Sequence, residues 1–189
     1  MRLNLPLLLT WLRIVAIPLF VAVLYFPEEW LSSREANVIS MWIFIAAAVT
    51  DWADGWLARR WNQTTSFGAF LDPVADKLMV AAALIVLTEL GRVHALAALI
   101  IIGREITISA LREWMASIGA SKSVAVNFLG KFKTVAQLVA IPFLLFDGHL
   151  FGFLDTRVTG RWLIGIAAAL TLWSMVVYLR SAYSSSPPK

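Results

Sequence analysis

Cysteine is absent from the 189 residues, which excludes disulfides, thiolate metal sites and cysteine nucleophiles and leaves the redox compartment unread. Histidine is nearly absent as well. His94 and His149 fall in short connections, far in sequence from the cluster of aspartates at residues 51–76, so both read as solvated loop residues rather than ligands. Charge of either sign is sparse: Asp, Glu, Lys and Arg together make 15% of the chain, against 60% hydrophobic residues. No long polar linker, internal repeat or low-complexity tract divides it, beyond the short tail "SSSPPK".

What remains is apolar. The mean hydropathy is +0.77, too high for a soluble domain of this length to hide, and several apolar runs approach the roughly 20 residues needed to cross a bilayer. The pattern predicts an all-α polytopic membrane protein with six transmembrane helices in one bundle, spanning roughly 5–26, 37–60, 67–90, 93–116, 128–147 and 159–181. Helices are required because an open lipid-facing strand leaves backbone groups unpaired. A single domain over 1–182 and a disordered tail over 183–189 follow. The first run resembles a signal peptide, but it is long, holds Arg13 and Pro18, and ends in "YFPEEW", so it reads as retained.

The formal net charge is +4. With the amino terminus in the cytoplasm, Arg2, Arg59, Arg60, Arg104, Arg112, Lys122, Lys131, Lys133, Arg180 and Lys189 collect on the inner side. Arg34, Arg92, Arg157 and Arg161 fall outside, so the positive-inside rule favours this orientation. The excess charge fits anionic membrane lipids or phosphate partners, and basic loops that set topology account for it equally well; no nucleic-acid partner is predicted. Trp30, Trp61, Trp114 and Trp162 fall near predicted span ends and read as interfacial anchors.

Against this background the stretch "DWADGWLARRWNQTTSFGAFLDPVADK", residues 51–77, is anomalous. Asp51 and Asp54 are three apart near the inner end of the second span and share a helix face; Asp72 and Asp76 are four apart at the start of the third. Gly55 and Ala58 continue the first face without large side chains, so a flat ligand can approach the backbone. Four carboxylates converging on the cytoplasmic side repel one another unless cations share them. All-oxygen donors favour Mg²⁺, Mn²⁺ or Ca²⁺ over zinc or copper, and two ions balance four charges. The plainer reading pairs the carboxylates with Arg59, Arg60 and Lys77, with Asp72 as an N-cap before Pro73. That would suffice for one aspartate, but two helically spaced pairs around a cleared face favour a metal site. Metals beside fixed cations suit phosphoryl transfer. Arg104 and Arg112 lie near one face of the fourth span, with Lys131 and Lys133 at the start of the fifth. Arg104 is deep in an apolar run and should face the interior, with Glu105 beside it as a partner. Lys77 reads as structural, because neighbours on a helix point apart; Arg13 either snorkels or lines the cavity.

Asp51, Asp54, Gly55, Ala58, Arg59, Gly68, Asp72 and Asp76 match the signature D-x-x-D-G-x-x-A-R-x8-G-x-x-x-D-x-x-x-D without departure, and on these residues the chain resembles the CDP-alcohol phosphotransferase family. The resemblance implies a six-helix membrane domain, a homodimer, and two divalent cations, Mg²⁺ or Mn²⁺, at a site open to the cytoplasm. It implies that Asp51, Asp54, Asp72 and Asp76 are metal ligands, with Asp76 also the general base. Gly55, Ala58 and Gly68 would make room for the cytidine nucleotide, and Arg59 would hold its phosphates. The segments "NLPLLLTWLRIVAIP", "GREITISALREWMASIG" and "VAVNFLGKFKTVAQLVAIPFLL" also look like those of bacterial members that use sn-glycerol 3-phosphate. That likeness implies transfer from CDP-diacylglycerol in the bacterial inner membrane, giving phosphatidylglycerophosphate and CMP. Arg104, Arg112, Lys131 and Lys133 are the candidates for holding the acceptor's phosphate. The signature is blind to the acceptor, so another alcohol is one alternative. A cation transporter is another, disfavoured because the carboxylates cluster at one side and no repeat is visible.

Overall fold

The computed structural model describes residues 5–61, 66–117 and 128–184. Six helices carry almost all of them: α1 (Leu5–Leu24), α2 (Ser33–Trp61), α3 (Ser66–Glu89), α4 (Ala95–Ser117), α5 (Phe128–Phe146) and α6 (Thr156–Ser184). The all-α expectation is met, and each expected span has its helix. A small antiparallel hairpin, β1 (His149–Leu150) and β2 (Leu154–Asp155), was not expected in the connection before α6. Its tight turn has Phe151 at φ 54° and Gly152 at φ 78°, and an aromatic residue in that region gives no sequence signal of a turn. α6 accordingly starts at Thr156 rather than near 159, and it continues through Ser184, past the boundary expected at 182.

Helix ends follow local chemistry. Ser32 and Glu35 form a capping box at the start of α2: the Ser32 N–H donates to Glu35 Oε2 at 3.0 Å, and the Glu35 N–H to Ser32 Oγ at 3.4 Å. The Ser32 hydroxyl, which donates to Glu35 Oε2 at 2.6 Å, and then the Ser32 N–H hold the Glu35 carboxyl below its ordinary pKa. α3 ends on Gly91 at φ 66°, whose N–H reaches the Thr88 carbonyl while that of Arg92 reaches Leu87, the paired bonds of a Schellman cap. At α4, His94 Nδ1 accepts from the Leu96 N–H at 3.2 Å, so this loop histidine has a capping role.

The core draws on every helix, with Phe20, Phe44, Leu84, Ile101, Ile141 and Ile164 among its buried members. α5 and α6 pack most extensively. Gly160 permits the approach, since a Cβ there would lie 2.6 Å from Leu144 Cγ. The outward faces are apolar too: Leu12, Trp42, Phe70, Ile85, Leu99 and Trp173 are all exposed. Helices hydrophobic on both faces are what lipid, not water, surrounds. Two of them, through Leu7–Leu24 and Thr156–Arg180, are long and apolar enough by themselves to cross a membrane.

One end of the bundle is closed by Arg92. Its Nη1 donates to the Leu144 and Leu145 carbonyls at the end of α5, both at 3.1 Å, its Nη2 to Asn37 Oδ1 at 2.9 Å, and its Nε lies 3.3 Å from Asp147 Oδ2. Arg157 holds the same carboxylate through two bonds, at 2.5 and 2.7 Å. Arg161 caps the Gly91 and Arg92 carbonyls. Burial pulls the Arg92 guanidinium below its ordinary pKa and the Asp147 carboxylate opposes that shift. Tyr25 OH donates to Glu89 at this end as well, tying α1 to α3.

Losing Arg92 leaves the Leu144 and Leu145 carbonyls and Asn37 Oδ1 without the donor it supplies, whereas Asp147 keeps Arg92 if Arg157 is lost. Arg92→Ala should therefore destabilise the protein by about 3–5 kcal/mol, the range for breaking a buried pair, and Arg157→Ala by under about 1 kcal/mol, as for an exposed pair. Thermal unfolding in detergent reads the difference; equal shifts would remove Arg92 from its organising position.

Candidate active site

The opposite end of the bundle holds the acidic signature, where α2 brings Asp51 beside the start of α3. Asp51 Oδ1 accepts from Arg13 Nη1 of α1 at 2.7 Å, and Asp72 accepts from Thr10 Oγ1 of the same helix. Thr10 and Arg13 are three apart on one face of α1 and both are buried, so a single turn of that helix grips two signature carboxylates. Arg13 thus faces the cluster and does not snorkel. Asp72 is not an N-cap: α3 begins at Ser66, and Pro73 sits inside it. The Asp–Pro pair is compatible with a helix start, but Pro73 sits about two turns inside the helix, not at its first position.

Between α2, α3, α4 and α5 lies a cavity of about 170 Å³. Asp51, Asp76, Lys77, Glu105, Thr134 and Gln137 supply its polar walls, with Ala48, Val80 and Leu138 completing it. Asp76 is open to this space, and 41% of the Asp51 side chain remains accessible beyond Arg13. Lys77 donates to Ser109 Oγ, which in turn donates to the Glu105 carbonyl at 2.6 Å. The expectation that adjacent Asp76 and Lys77 would point apart is corrected to this extent: the long lysine chain bends back, and both residues line one cavity.

Beside the cavity, Glu105 joins two buried cations. Arg104 Nη1 lies 2.7 Å and Lys133 Nζ 3.0 Å from Glu105 Oε1. The expected partnership of Arg104 with Glu105 is present, and Lys133 completes a triad across α4 and α5. Arg112 is exposed, near enough to Lys133 for their charges to repel. Gly68 is buried in the first turn of α3. Asp54, Gly55, Ala58 and Arg59 belong to α2 and Lys131 to α5, but their side chains lie outside the described residues.

The structure therefore brings together Asp51 and Asp76 at one cavity, Asp72 against Thr10, and Arg104 with Lys133 at Glu105. Thr10, Thr134 and Gln137 were missed from sequence. The available signal was spacing: Thr10 with Arg13, and Lys133 with Gln137, are polar pairs at helical intervals in apolar runs.

The donor chemistry can be tested for a metal. Asp51 stands close enough to both Asp72 and Asp76 for their charges to repel. Arg13 and Lys77 offset part of the three negative charges, leaving an all-oxygen donor set with net negative charge, the character that hard divalent cations prefer. Among the described residues no three acidic or histidine side chains close into a metal-binding group; Asp54 is not among those described. The residues fit a divalent cation in charge and donor type, at an open site.

Comparison with known proteins bears on this arrangement. The family model described as CDP-alcohol phosphatidyltransferase matches residues 3–173, from the start of α1 well into α6. A protein of Salmonella typhimurium strain LT2, named CDP-diacylglycerol--glycerol-3-phosphate 3-phosphatidyltransferase, is 50% identical over 186 residues, covering 96% of each chain. A protein of the same name from Escherichia coli strain K12 matches to the same extent. With the whole signature inside a match of this length, the chain belongs to the CDP-alcohol phosphatidyltransferase family.

Proposed function

We propose that this protein transfers the phosphatidyl group of CDP-diacylglycerol to sn-glycerol 3-phosphate, giving phosphatidylglycerophosphate and CMP. The observation that carries the reading is the cavity in which signature residues Asp51 and Asp76 meet Lys77 and Glu105, in a chain that aligns end to end with relatives named for this reaction. All six helices are read as membrane spans of one domain over 1–182, in the bacterial inner membrane with this cavity and both termini facing the cytoplasm. Apolar outer faces and the distribution of basic residues support that placement. A homodimer is part of the proposal on family grounds.

In the mechanism, Asp76 takes the proton of the acceptor's primary hydroxyl. The freed oxygen attacks the lipid-side phosphorus of the pyrophosphate; its bond to that phosphorus forms as the bond to the CMP phosphate oxygen breaks, and CMP leaves with the electron pair. Asp51, Asp54, Asp72 and Asp76 would hold divalent cations, Mg²⁺ or Mn²⁺. When bound, such ions neutralise charge on the phosphate oxygens. Arg13 and Thr10 fix the orientations of Asp51 and Asp72, limiting the reorganisation needed during turnover. Gly55, Ala58 and Gly68 leave room for the nucleotide and Arg59 holds its phosphates. Arg104 and Lys133 receive the acceptor's phosphate, with Arg112 and Lys131 adding positive potential at the entrance.

Four outcomes follow. Purified protein releases CMP from CDP-diacylglycerol when sn-glycerol 3-phosphate is added; transfer only to inositol phosphate, serine or phosphatidylglycerol overturns the acceptor. Release falls to background in EDTA and returns with Mg²⁺ or Mn²⁺, so full activity in chelator removes the metal site. Asp76→Asn lowers turnover about 10²- to 10⁴-fold, the contribution typical of a general base, with an unchanged unfolding midpoint. Lys133→Met should raise the KM for sn-glycerol 3-phosphate roughly 10-fold or more, as expected for a lost charged hydrogen bond, and shift that for CDP-diacylglycerol far less. Equal shifts would take Lys133 out of the acceptor pocket.

A further inference from the structure

Gln137 is a polar wall of the cavity to which the reaction above gives no role. It is 6% exposed, lies on α5 and lines the same cavity as Asp76 and Glu105. Its Nε2 is buried without a hydrogen-bond partner among the described residues. A buried donor left unsatisfied costs about 1–3 kcal/mol, and such groups in native structures point to a strained or ligand-binding position.

Placement on the helix narrows the ligand. Lys133 and Gln137 are four apart and share a face of α5, with an axial separation of about 6 Å. Lys133, paired with Glu105 alongside Arg104, marks the cationic level. One turn further into the bundle the face changes from ammonium to neutral amide, beside the proposed base. A phosphate is best met by the cations, whereas an amide N–H suits a neutral oxygen. A three-carbon phosphate laid along this face with its anion at Lys133 brings its hydroxyl end to the level of Gln137.

We propose that Gln137 is a specificity-determining residue that donates through Nε2 to the secondary hydroxyl of the acceptor, orienting the primary hydroxyl towards Asp76. The inference rests on the proposed acceptor reaction. It makes the protein sensitive to a hydroxyl that takes no part in bond formation. Sites built to bond a hydroxyl reject analogues lacking it, because the partner is then left buried and unpaired.

The test uses the full-length protein in lipid nanodiscs with two acceptors, sn-glycerol 3-phosphate and 3-hydroxypropyl phosphate, which lacks only the secondary hydroxyl. CMP release gives the ratio of their kcat/KM values. For the unaltered protein that ratio is expected to be roughly 10- to 100-fold in favour of sn-glycerol 3-phosphate. In Gln137→Met, which keeps the length and removes the donor, the ratio should fall towards one while the KM for CDP-diacylglycerol stays put. Gln137→Asn withdraws the amide by one carbon and should also lower the ratio, and it decides the matter if the Met variant does not fold. A ratio that persists in both variants, or equal losses on both acceptors, overturns the assignment of Gln137. Absence of transfer to either acceptor by the unaltered protein would overturn the acceptor reaction itself, a separate failure.

Discussion

A charge inside an apolar helix bundle has to find a partner, and where that partner lies on another segment the requirement decides which parts of this protein are neighbours. The penalty for an ion removed from water without a partner is several kcal/mol, far above the worth of an exposed ion pair. Arg13 on α1 meets Asp51 on α2, Lys133 on α5 meets Glu105 on α4, and Arg92 meets Asn37, Asp147 and the carbonyls that end α5. Each contact joins segments that sequence alone leaves independent. Hydrophobic packing supplies cohesion without direction; the buried ions supply the direction.

The two ends use the same rule to opposite effect. Around Arg92, guanidinium groups meet carbonyls and one shared carboxylate, closing the end with a short hairpin over it. At the signature end, Arg13 binds Asp51 and Thr10 binds Asp72, while Asp76 opens on the cavity. Negative charge there exceeds what the neighbouring helices supply, which is the condition for drawing in cations. One end consumes its electrostatic interactions in holding the fold, and the other keeps some of them available for ligands.

Sequence patterning made the six helices legible, because long apolar runs separated by polar breaks admit few other structures. The carboxylate pairs were legible through their spacing, and Arg104 through its depth in an apolar run. Other features needed the third dimension. Thr10 reaches Asp72 across a separation of 62 residues, and Lys133 reaches Glu105 across 28; no local pattern encodes such partners. Asp72 before Pro73 carried a local cap signal that tertiary packing overrode, extending α3 back to Ser66. The hairpin was hidden for a related reason, since its turn puts Phe151 in a conformation more often taken by glycine or asparagine.

Glu105 shows how these constraints meet in the proposed chemistry. Two buried cations held side by side would repel each other, and an unoccupied pocket of that kind would be unstable. Glu105 binds both through a single oxygen, Oε1, so the triad carries one net positive charge instead of two. An arriving phosphate dianion then meets a pocket already assembled and only partly neutralised. Its attraction is smaller than bare cations would give, but little side-chain reorganisation is needed, and electrostatic sites work best when their charges are fixed beforehand. The same moderation favours escape of the anionic product. In the proposed reaction, the carboxylate outside the family signature would therefore bear on turnover through the charge it leaves uncancelled.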